Sequence, residues 1–214
     1  MADYFSKDPI IVEEETEKKS YQGAGSFILE IIKIVALAFI IIVPIRVFLF
    51  QPFFVQGASM EPNFEDGQYL IVNEFGYKET DVSFGSRTFF TVRPFKKIER
   101  QMTVVFRYPL DPSKYFIKRI IGLPGEKIQI KAGNIVVFNE EYPDGQTLDE
   151  RAYLPMGVKT SGDLSLMLKD DEYFVMGDNR SFSSDSRAWG PVKKKNIMGE
   201  VLFRAWPLDK ISVY

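Results

Sequence analysis

The sequence contains no histidine and no cysteine among its 214 residues. Without histidine, a serine hydroxyl cannot be activated through a Ser-His-Asp arrangement. Without cysteine, thiol catalysis and disulfide bonds are excluded, and the loss of both residue types removes the usual zinc ligands. Any chemistry must therefore come from carboxylates, lysines, hydroxyls and backbone groups, and we expect neither a metal ion nor a cofactor.

An excess of charge of one sign is also lacking. The 27 Lys and Arg residues nearly balance the 29 Asp and Glu residues, which gives a net charge of −2. Because no basic block is present, the composition predicts no nucleic-acid partner. Hydrophobic residues make up 45% of the chain, enough for the core of one substantial domain with an appendage. The oligomeric state stays open.

One long apolar run follows a polar beginning. We expect residues 1–26, which are acidic and polar, to form a disordered tail. Residues 27–50, FILEIIKIVALAFIIIVPIRVFLF, are nearly all apolar, and a helix of this length spans about 36 Å, enough to cross a hydrocarbon layer of about 30 Å. A buried core helix and a cleavable secretory signal are the alternatives. The run is apolar on all sides and follows a long acidic segment, which favours a transmembrane helix.

Positive charges flank this run on one side only. Lys18 and Lys19 precede it, whereas residues 51–70 contain neither Lys nor Arg. Lys and Arg are enriched on the cytoplasmic side of membrane-spanning helices. We therefore expect the N-terminus in the cytoplasm and residues 51–214 on the outer face of the membrane.

Residues 51–214 have the pattern of an all-β domain. Short runs rich in β-branched and aromatic residues are separated by Gly, Pro, Asn and Asp. These runs are YLIVNEF, MTVVFRY, YFIKRIIG, KIQIKAGNIVVFNEEYP, DEYFVMGDN and GEVLFRAW. The pattern predicts a mainly β domain of antiparallel sheets with long loops. We expect residues 76–100 to be an excursion or an extra hairpin, and residues 130–172 to be an insertion or a smaller β subdomain.

A serine lies in a short turn of small residues directly after the apolar run. The stretch QPFFVQGASMEPNF covers residues 51–64, and its Gly57-Ala58-Ser59-Met60 core places Ser59 between two apolar flanks. Such a turn can display a nucleophile. A serine hydroxyl is a weak nucleophile until a base takes its proton. In this chain the base cannot be histidine.

A lysine among apolar residues is the first candidate for that base. In the stretch YFIKRIIGLPGEKI, residues 115–128, Lys118 alternates with Phe116 and Ile120 on one face of the predicted strand. Burial lowers the pKa of a lysine from about 10.4, and a neutral amine can act as a general base. The alternative is a strand lysine whose head reaches water. GLPGEK lacks the Gly-Lys-Ser/Thr ending of a phosphate loop, so phosphate binding is excluded.

A loop rich in hydroxyls follows an apolar strand later in the chain. The stretch GDNRSFSSDSRAWGPV covers residues 177–192. One interpretation is a turn held by Asx-type hydrogen bonds, which are common in Gly-Asp-Asn sequences. The other is that one hydroxyl orients the lysine amine while Asp185 and Arg187 stabilise the loop through a charge-assisted pair.

The three stretches together resemble the type I signal peptidases of bacteria, membrane-anchored serine proteases that use a Ser–Lys dyad. GASMEP is similar to the nucleophile motif of that family, KRIIGLPGE to its lysine motif, and GDNRSFSSDSR to its third motif. The resemblance implies a signal-peptidase-like β domain in the bacterial cytoplasmic membrane, anchored by a single transmembrane helix. It implies Ser59 as nucleophile, Lys118 as general base, Ser183 as the hydroxyl that holds the amine, and Asp185–Arg187 as a structural ion pair.

The same resemblance predicts how substrate is held. The Ser59 backbone N–H is expected in the oxyanion hole, and a second donor must be a group other than the side chain at position 57, which is Gly57 here. Gln101 occupies a turn where the family often has glycine. Small residues at positions −1 and −3 from the cut would enter apolar pockets, although ordinary core packing is the alternative for each lining residue. The predicted lining residues are Val55, Met60, Leu70, Val105, Phe116 and Ile117.

These expectations lead to one predicted function and two alternative functions. The expected function is cleavage of signal peptides from exported preproteins after small-x-small sites, with the lipid bilayer as a second partner. One rival is another Ser–Lys protease, such as the self-cleaving repressor type, although that type would carry a DNA-binding domain where this chain has an apolar helix. The other rival is a non-catalytic β module tethered to the membrane.

Overall fold

The computed structural model describes residues 17–44, 50–84 and 87–214. The chain divides into a first unit that ends at Pro44 and a second unit over residues 45–214. The described part of the first unit is one helix, α1 (Glu17–Pro44). Its window Gly25–Ile42 has a mean hydropathy of 2.4 and none of it is buried, so α1 is long and apolar enough to cross a membrane.

The bounds of α1 differ from those expected. The helix begins at Glu17 rather than at Phe27, and Phe50 lies in the first strand instead of the helix. Residues 17–26 include Glu, Lys, Gln and Ala, which favour helix formation although they are not apolar. Apolarity therefore marked the window Gly25–Ile42 but not the start of the helix. The first 16 residues of the expected tail lie outside the described residues.

The second unit is built from strands. In chain order they are β1 (Phe50–Phe54), β2 (Tyr69–Asn73), β3 (Thr80–Phe84), β4 (Arg87–Val92), β5 (Thr103–Tyr108), β6 (Asp111–Gly122), β7 (Lys127–Lys131), β8 (Asn134–Phe138), β9 (Gln146–Thr147), β10 (Leu164–Met167), β11 (Glu172–Met176), β12 (Val192–Lys193), β13 (Ile197–Trp206) and β14 (Ser212–Val213). All of their pairings are antiparallel. The predicted mainly β class is therefore confirmed, and each of the six sequence runs contains at least one strand.

The largest sheet has eight strands in the order β1-β2-β13-β5-β6-β11-β12, with β14 paired to β13. Strand β11, EYFVM, which lies between β6 and β12, is buried at every position. This explains the uninterrupted apolar pattern of that run, since a strand covered on both faces does not alternate. One face of the sheet carries a core cluster that includes Val55, Leu70 and Val105.

A smaller sheet of four strands has the order β10-β7-β8-β9. In β7 the residues alternate between buried and more exposed positions, as expected for a strand with one covered face. Ile128, Ile130 and Ile135 of this sheet share a core cluster with Phe174 and Met176 of the large sheet. Residues 127–167 thus form a layer packed on the large sheet. A separate hairpin, β3–β4, occupies residues 80–92.

Candidate active site

The turn that carries Ser59 is held at both ends. Val55 N donates to Gln68 O at 2.8 Å and Gly67 N donates to Val55 O at 3.1 Å, which closes the loop between β1 and β2. Gly57 has a φ of 85°, a conformation that favours glycine. Its N–H donates to Asp66 Oδ1 at 2.6 Å. Ser59 follows on this fixed turn and is partly exposed.

Lys118 lies in β6, paired with Val104 of β5. Its side chain is buried, with only 4% of the residue exposed. The Nζ atom lies 2.6 Å from Ser59 Oγ and 2.8 Å from the carbonyl oxygen of Ile117. Burial lowers the pKa of Lys118 to about 8, a change that the negative charges of Asp185 and Asp178 partly oppose. A substantial fraction of this lysine is therefore a neutral amine at mildly alkaline pH.

Ser183 lies beside this pair but does not contact the lysine as expected. Its Oγ atom is buried and makes no hydrogen bond of regular geometry with the described residues, although it lies near enough to Asp185 to help lower the pKa of that carboxyl. A Cβ atom added at Gly177 would lie 2.3 Å from both Ser183 Oγ and Ser59 O, so only glycine fits there. The hydroxyl of Ser183 is thus packed against the nucleophile turn, while the amine of Lys118 uses Ile117 O as its second partner.

Asp185 and Arg187 form the expected ion pair. Arg187 Nε donates to Asp185 Oδ1 and Arg187 Nη2 donates to Asp185 Oδ2, both at 2.8 Å. Burial opposes ionisation of Asp185, but the hydrogen bonds and charge of Arg187 outweigh it and hold the pKa of this carboxyl below its usual range. Asp185 also accepts from Gly177 N at 3.1 Å, and Arg187 donates to Arg180 O at 2.8 Å. The pair therefore holds the loop on both sides of Ser183.

A second buried ion pair was not predicted. Arg119 follows Lys118 in β6 and donates from Nε and Nη2 to the two carboxylate oxygens of Asp178, at 2.8 and 2.7 Å. Its Nη1 donates to Gln101 O at 2.7 Å. Gln101 has a φ of 70°, so it adopts the left-handed conformation that glycine favours. Neither partner stands out in the sequence, because Arg and Asp are common and 59 residues separate them.

An open cleft of about 700 Å³ leads to Ser59 and Lys118. Five of the six predicted pocket residues line it: Val55, Leu70, Val105, Phe116 and Ile117. Met60 is the exception, because it is fully buried in the core cluster with Phe64 and Val72. The family resemblance predicted a pocket position for Met60, whereas its side chain is buried in the interior here.

Sequence reasoning missed several lining residues. Phe182 and Ser184 border the cleft beside Ser59, and Gln56 and Tyr115 border it elsewhere. Phe182 is 77% exposed although it is a large aromatic residue. A phenylalanine between hydroxyl residues in a turn is the signal that could have identified it, since solvated loops seldom keep such a residue without a contact.

The site is thus a buried amine in contact with a partly exposed hydroxyl, at the end of an apolar cleft. A hydroxyl that can lose its proton to an adjacent base is an activated nucleophile. The apolar lining from β1, β5 and β6 suits small uncharged side chains. This arrangement fits a serine hydrolase with an apolar binding cleft.

Comparisons with known proteins agree with this class. The profile of the family described as "Signal peptidase, peptidase S26" matches residues 28–206. The chain is 33% identical over 205 residues to Signal peptidase I P of Bacillus subtilis subsp. natto, a match covering 93% of this chain and 97% of that protein. It is 32% identical over 202 residues to Signal peptidase IB of Staphylococcus aureus (strain COL), covering 86% and 93%.

The chain belongs to the signal peptidase family, peptidase S26. It is accordingly a serine peptidase that acts on the signal peptides of preproteins, and its apolar helix α1 fits a membrane-anchored protein. A solved signal peptidase I from Enterococcus faecalis V583 also matches, with a TM-score of 0.41 and 27% identity over 50% of this chain and 97% of that one.

Proposed function

We propose that this protein removes signal peptides by a Ser–Lys mechanism in which Ser59 is the nucleophile and Lys118 is the general base. The observation that carries the proposal is the 2.6 Å contact between Lys118 Nζ and Ser59 Oγ, with the amine buried. Histidine is absent from the sequence, so another base has to activate the serine. A lysine whose pKa is about 8 is suited to that task at mildly alkaline pH.

The proton follows a short path in this mechanism. The neutral amine of Lys118 takes the proton of the Ser59 hydroxyl as Oγ attacks the carbonyl carbon of the scissile bond. The resulting ammonium then gives a proton to the leaving amine, and an ester forms on Ser59. Lys118 next takes a proton from water as the water attacks the ester carbonyl carbon, and it gives that proton to Ser59 Oγ as the ester bond breaks and the acid leaves. The Ser59 backbone N–H is proposed to stabilise the oxyanion at both stages.

Ser183 is proposed to support the ammonium form of Lys118. An ammonium group has three hydrogens to donate, and Ser59 Oγ and Ile117 O account for two of them. The buried Ser183 hydroxyl, which makes no hydrogen bond of regular geometry with the described residues, is a candidate acceptor for the third. A rotation of its side chain toward Nζ during turnover would provide that contact.

The cleft supports a preference for small residues at positions −1 and −3. Substrate is proposed to bind as an extended strand, because alternate side chains of a strand point to the same face. Val55, Leu70, Val105 and Ile117 would then bound shallow apolar pockets that admit alanine but exclude larger residues. This lining supports the proposed cleavage after small-x-small sequences.

The domain plan proposed for the chain is a cytoplasmic tail, a single membrane-spanning helix and an outer catalytic domain. It rests on the apolar window Gly25–Ile42 and on the lysines that precede it, Lys18 and Lys19. In bacteria the membrane would be the cytoplasmic membrane. A preprotein cleavage site emerges beside its own apolar segment, so a membrane-anchored peptidase meets it at the lipid surface.

The dyad is tested with two single variants and their combination. Ser59→Ala and Lys118→Met should each abolish cleavage of a preprotein by the purified protein while circular dichroism spectra stay unchanged. The double variant should lose no more than either single variant, because the two residues act as a unit. Arg151→Ala, at an exposed ion pair, is the control and should cleave normally. Retained cleavage in Lys118→Met would remove the lysine from the mechanism.

A further inference from the structure

Asn63 lies four positions after Ser59 on the same loop and has both amide hydrogens engaged. Its Nδ2 donates to the backbone carbonyl oxygen of Tyr153 at 2.7 Å and to Asp178 Oδ2 at 2.8 Å. The partners are 90 and 115 residues away in the sequence. One side chain therefore connects the nucleophile loop to two distant segments of the chain.

These segments are also connected to each other. Asp178 has a fully buried side chain and accepts two hydrogen bonds from Arg119. The Arg119 guanidinium lies 4.3 Å from the centre of the Tyr153 ring, within the range of a cation–π contact. The contacts Asn63–Asp178, Asp178–Arg119, Arg119–Tyr153 and Tyr153–Asn63 thus form a closed ring, which we call the Asn63 ring.

The Asn63 ring is attached to the reactive atoms at two points. Arg119 is the residue after Lys118 in β6, so the pair with Asp178 fixes the strand that carries the amine. Asn179, the residue after Asp178, donates its N–H to Ser59 O at 3.1 Å and its side chain to Ala58 O at 3.0 Å. Asn63 is the member of the ring that belongs to the serine loop itself.

We propose that Asn63 is a positioning residue that sets the distance between Ser59 Oγ and Lys118 Nζ. This inference rests on the proposed Ser–Lys mechanism. Asn63 locks the serine loop onto the Arg119–Asp178 pair, and that pair holds the lysine strand. The segment that contains Tyr153 takes part through its backbone and its ring, so the loop between β9 and β10 supports the site without bordering the cleft.

The chemistry of the amide explains why asparagine suits this position. Its NH₂ group supplies two neutral donors, which match one carbonyl and one carboxylate oxygen. An aspartate of the same shape would present oxygen to both acceptors and place a second carboxylate beside Asp178. A leucine has nearly the same shape but supplies no donor, which would leave the two oxygens with one partner fewer.

The test compares Asn63→Leu, Asn63→Ala and Asn63→Asp in the full-length protein, with a peptide that contains a cleavage site. All three should lower kcat by about 10- to 100-fold, the loss that a small misplacement of reacting groups causes. KM should stay within about twofold, because Asn63 does not border the cleft. In Asn63→Asp the rising limb of the pH profile should also move to higher pH, since added negative charge favours protonated Lys118.

Asn139 provides a matched control. Its Nδ2 donates to Glu126 Oε1 at 2.9 Å, and Glu126 is a buried carboxylate paired with Arg100. Asn139→Leu and Asn139→Ala therefore remove the same kind of hydrogen bond from the same kind of ion pair, in a place with no recorded contact to Ser59 or Lys118. These variants should lower the melting temperature about as much as the Asn63 variants do, and leave kcat and the pH profile unchanged.

The possible results distinguish failure of the role proposed for Asn63 from failure of the proposed Ser–Lys mechanism. Wild-type cleavage that Ser59→Ala abolishes establishes the dyad independently of Asn63. The inference is overturned if the folded Asn63→Ala protein keeps kcat within about twofold, or if the Asn139 variants lose kcat equally. If Asn63→Asp does not fold, the kcat values of Asn63→Ala and Asn63→Leu are sufficient to test the role of Asn63.

Discussion

The amine of Lys118 lies 2.6 Å from the hydroxyl oxygen of Ser59, although 59 residues separate them in the sequence. The lysine comes from the long strand β6 and the serine from the turn after β1, so the sheet has to form before the two atoms meet. Because Lys118 is surrounded by protein rather than water, its proton is held less tightly. The contact therefore brings a hydroxyl and a buried amine together in a chain that has no imidazole.

Ser183→Ala should reduce turnover far more than substrate affinity. The buried hydroxyl is a candidate acceptor for the Lys118 ammonium, and loss of such a group in the transition state lowers kcat by about 100-fold. KM should change little, since Ser183 is not among the residues that border the cleft. Steady-state kinetics with a peptide substrate provide the measurement. Ser181→Ala, at an exposed position of the same loop, is the control and should behave as wild type; equal kcat in Ser183→Ala would exclude this role.

Burial of Lys118 should make the folded protein less stable at neutral pH than a variant with an uncharged side chain at this position. The pKa of Lys118 is about 8 in the folded state and about 10.4 in the unfolded chain, so the unfolded state binds more protons between these values. Stability therefore rises with pH from about 8 to 10.4 through this residue. Lys118→Met should be more stable than wild type by roughly 3 kcal/mol below pH 8, because one pKa unit is worth about 1.4 kcal/mol.

Urea denaturation at pH 7 and at pH 10 measures this difference. The advantage of Lys118→Met should be large at pH 7 and should shrink at pH 10. Lys127→Met, at a partly exposed lysine of β7, is the control and should show no such pH-dependent advantage. A constant difference between Lys118→Met and wild type at both pH values would contradict a lowered pKa.

A protein that begins at Phe50 should fold, and it should still bind lipid. Its core clusters lie entirely within residues 55–201. Phe54 and Tyr69 are 48% and 47% exposed and contact each other, with ring centres 4.9 Å apart. Exposed aromatic rings partition into the membrane interface. We expect this domain to sediment with phospholipid vesicles and to need lipid or detergent for full activity.

Phe54→Glu should weaken vesicle binding several-fold because it places a charge on that aromatic pair. Met156→Glu is the control, since Met156 is 92% exposed and has no aromatic neighbour in its recorded contacts. The proposal fails if the domain shows no affinity for vesicles and cleaves preprotein equally well without lipid.

The positions of many strands could be predicted from the sequence, because strand periodicity and turn residues are features of short stretches of sequence. The runs YLIVNEF and MTVVFRY, for example, contain β2 and β5. The start of α1 could not be predicted from hydropathy, since residues 17–26 are helical but polar. The pocket position of Met60 stays a prediction of the family resemblance; its side chain is buried beside Phe64 and Val72, because the sequence does not reveal which side of a turn faces the core.

The polar connections around the site were the part that the sequence could not reveal. Arg119 and Asp178 are ordinary charged residues at a separation of 59 positions, and Asn63 reaches Tyr153 across 90 positions. Such pairs depend on how β6, the serine loop and the loop between β9 and β10 are packed together. The three motifs indicated which residues are candidates for the chemistry, whereas the fold determines what holds their side chains in contact.

The pH dependence of kcat/KM tests the central claim most directly. With a peptide substrate under conditions where chemistry limits the rate, kcat/KM should rise with pH along a single limb. Its midpoint should lie near the Lys118 pKa of about 8 and report the free enzyme. Residual activity of Lys118→Met, if measurable, should lack that limb. A kcat/KM that is flat between pH 7 and 10, or a limb that persists unchanged in Lys118→Met, would contradict lysine as the base of Ser59.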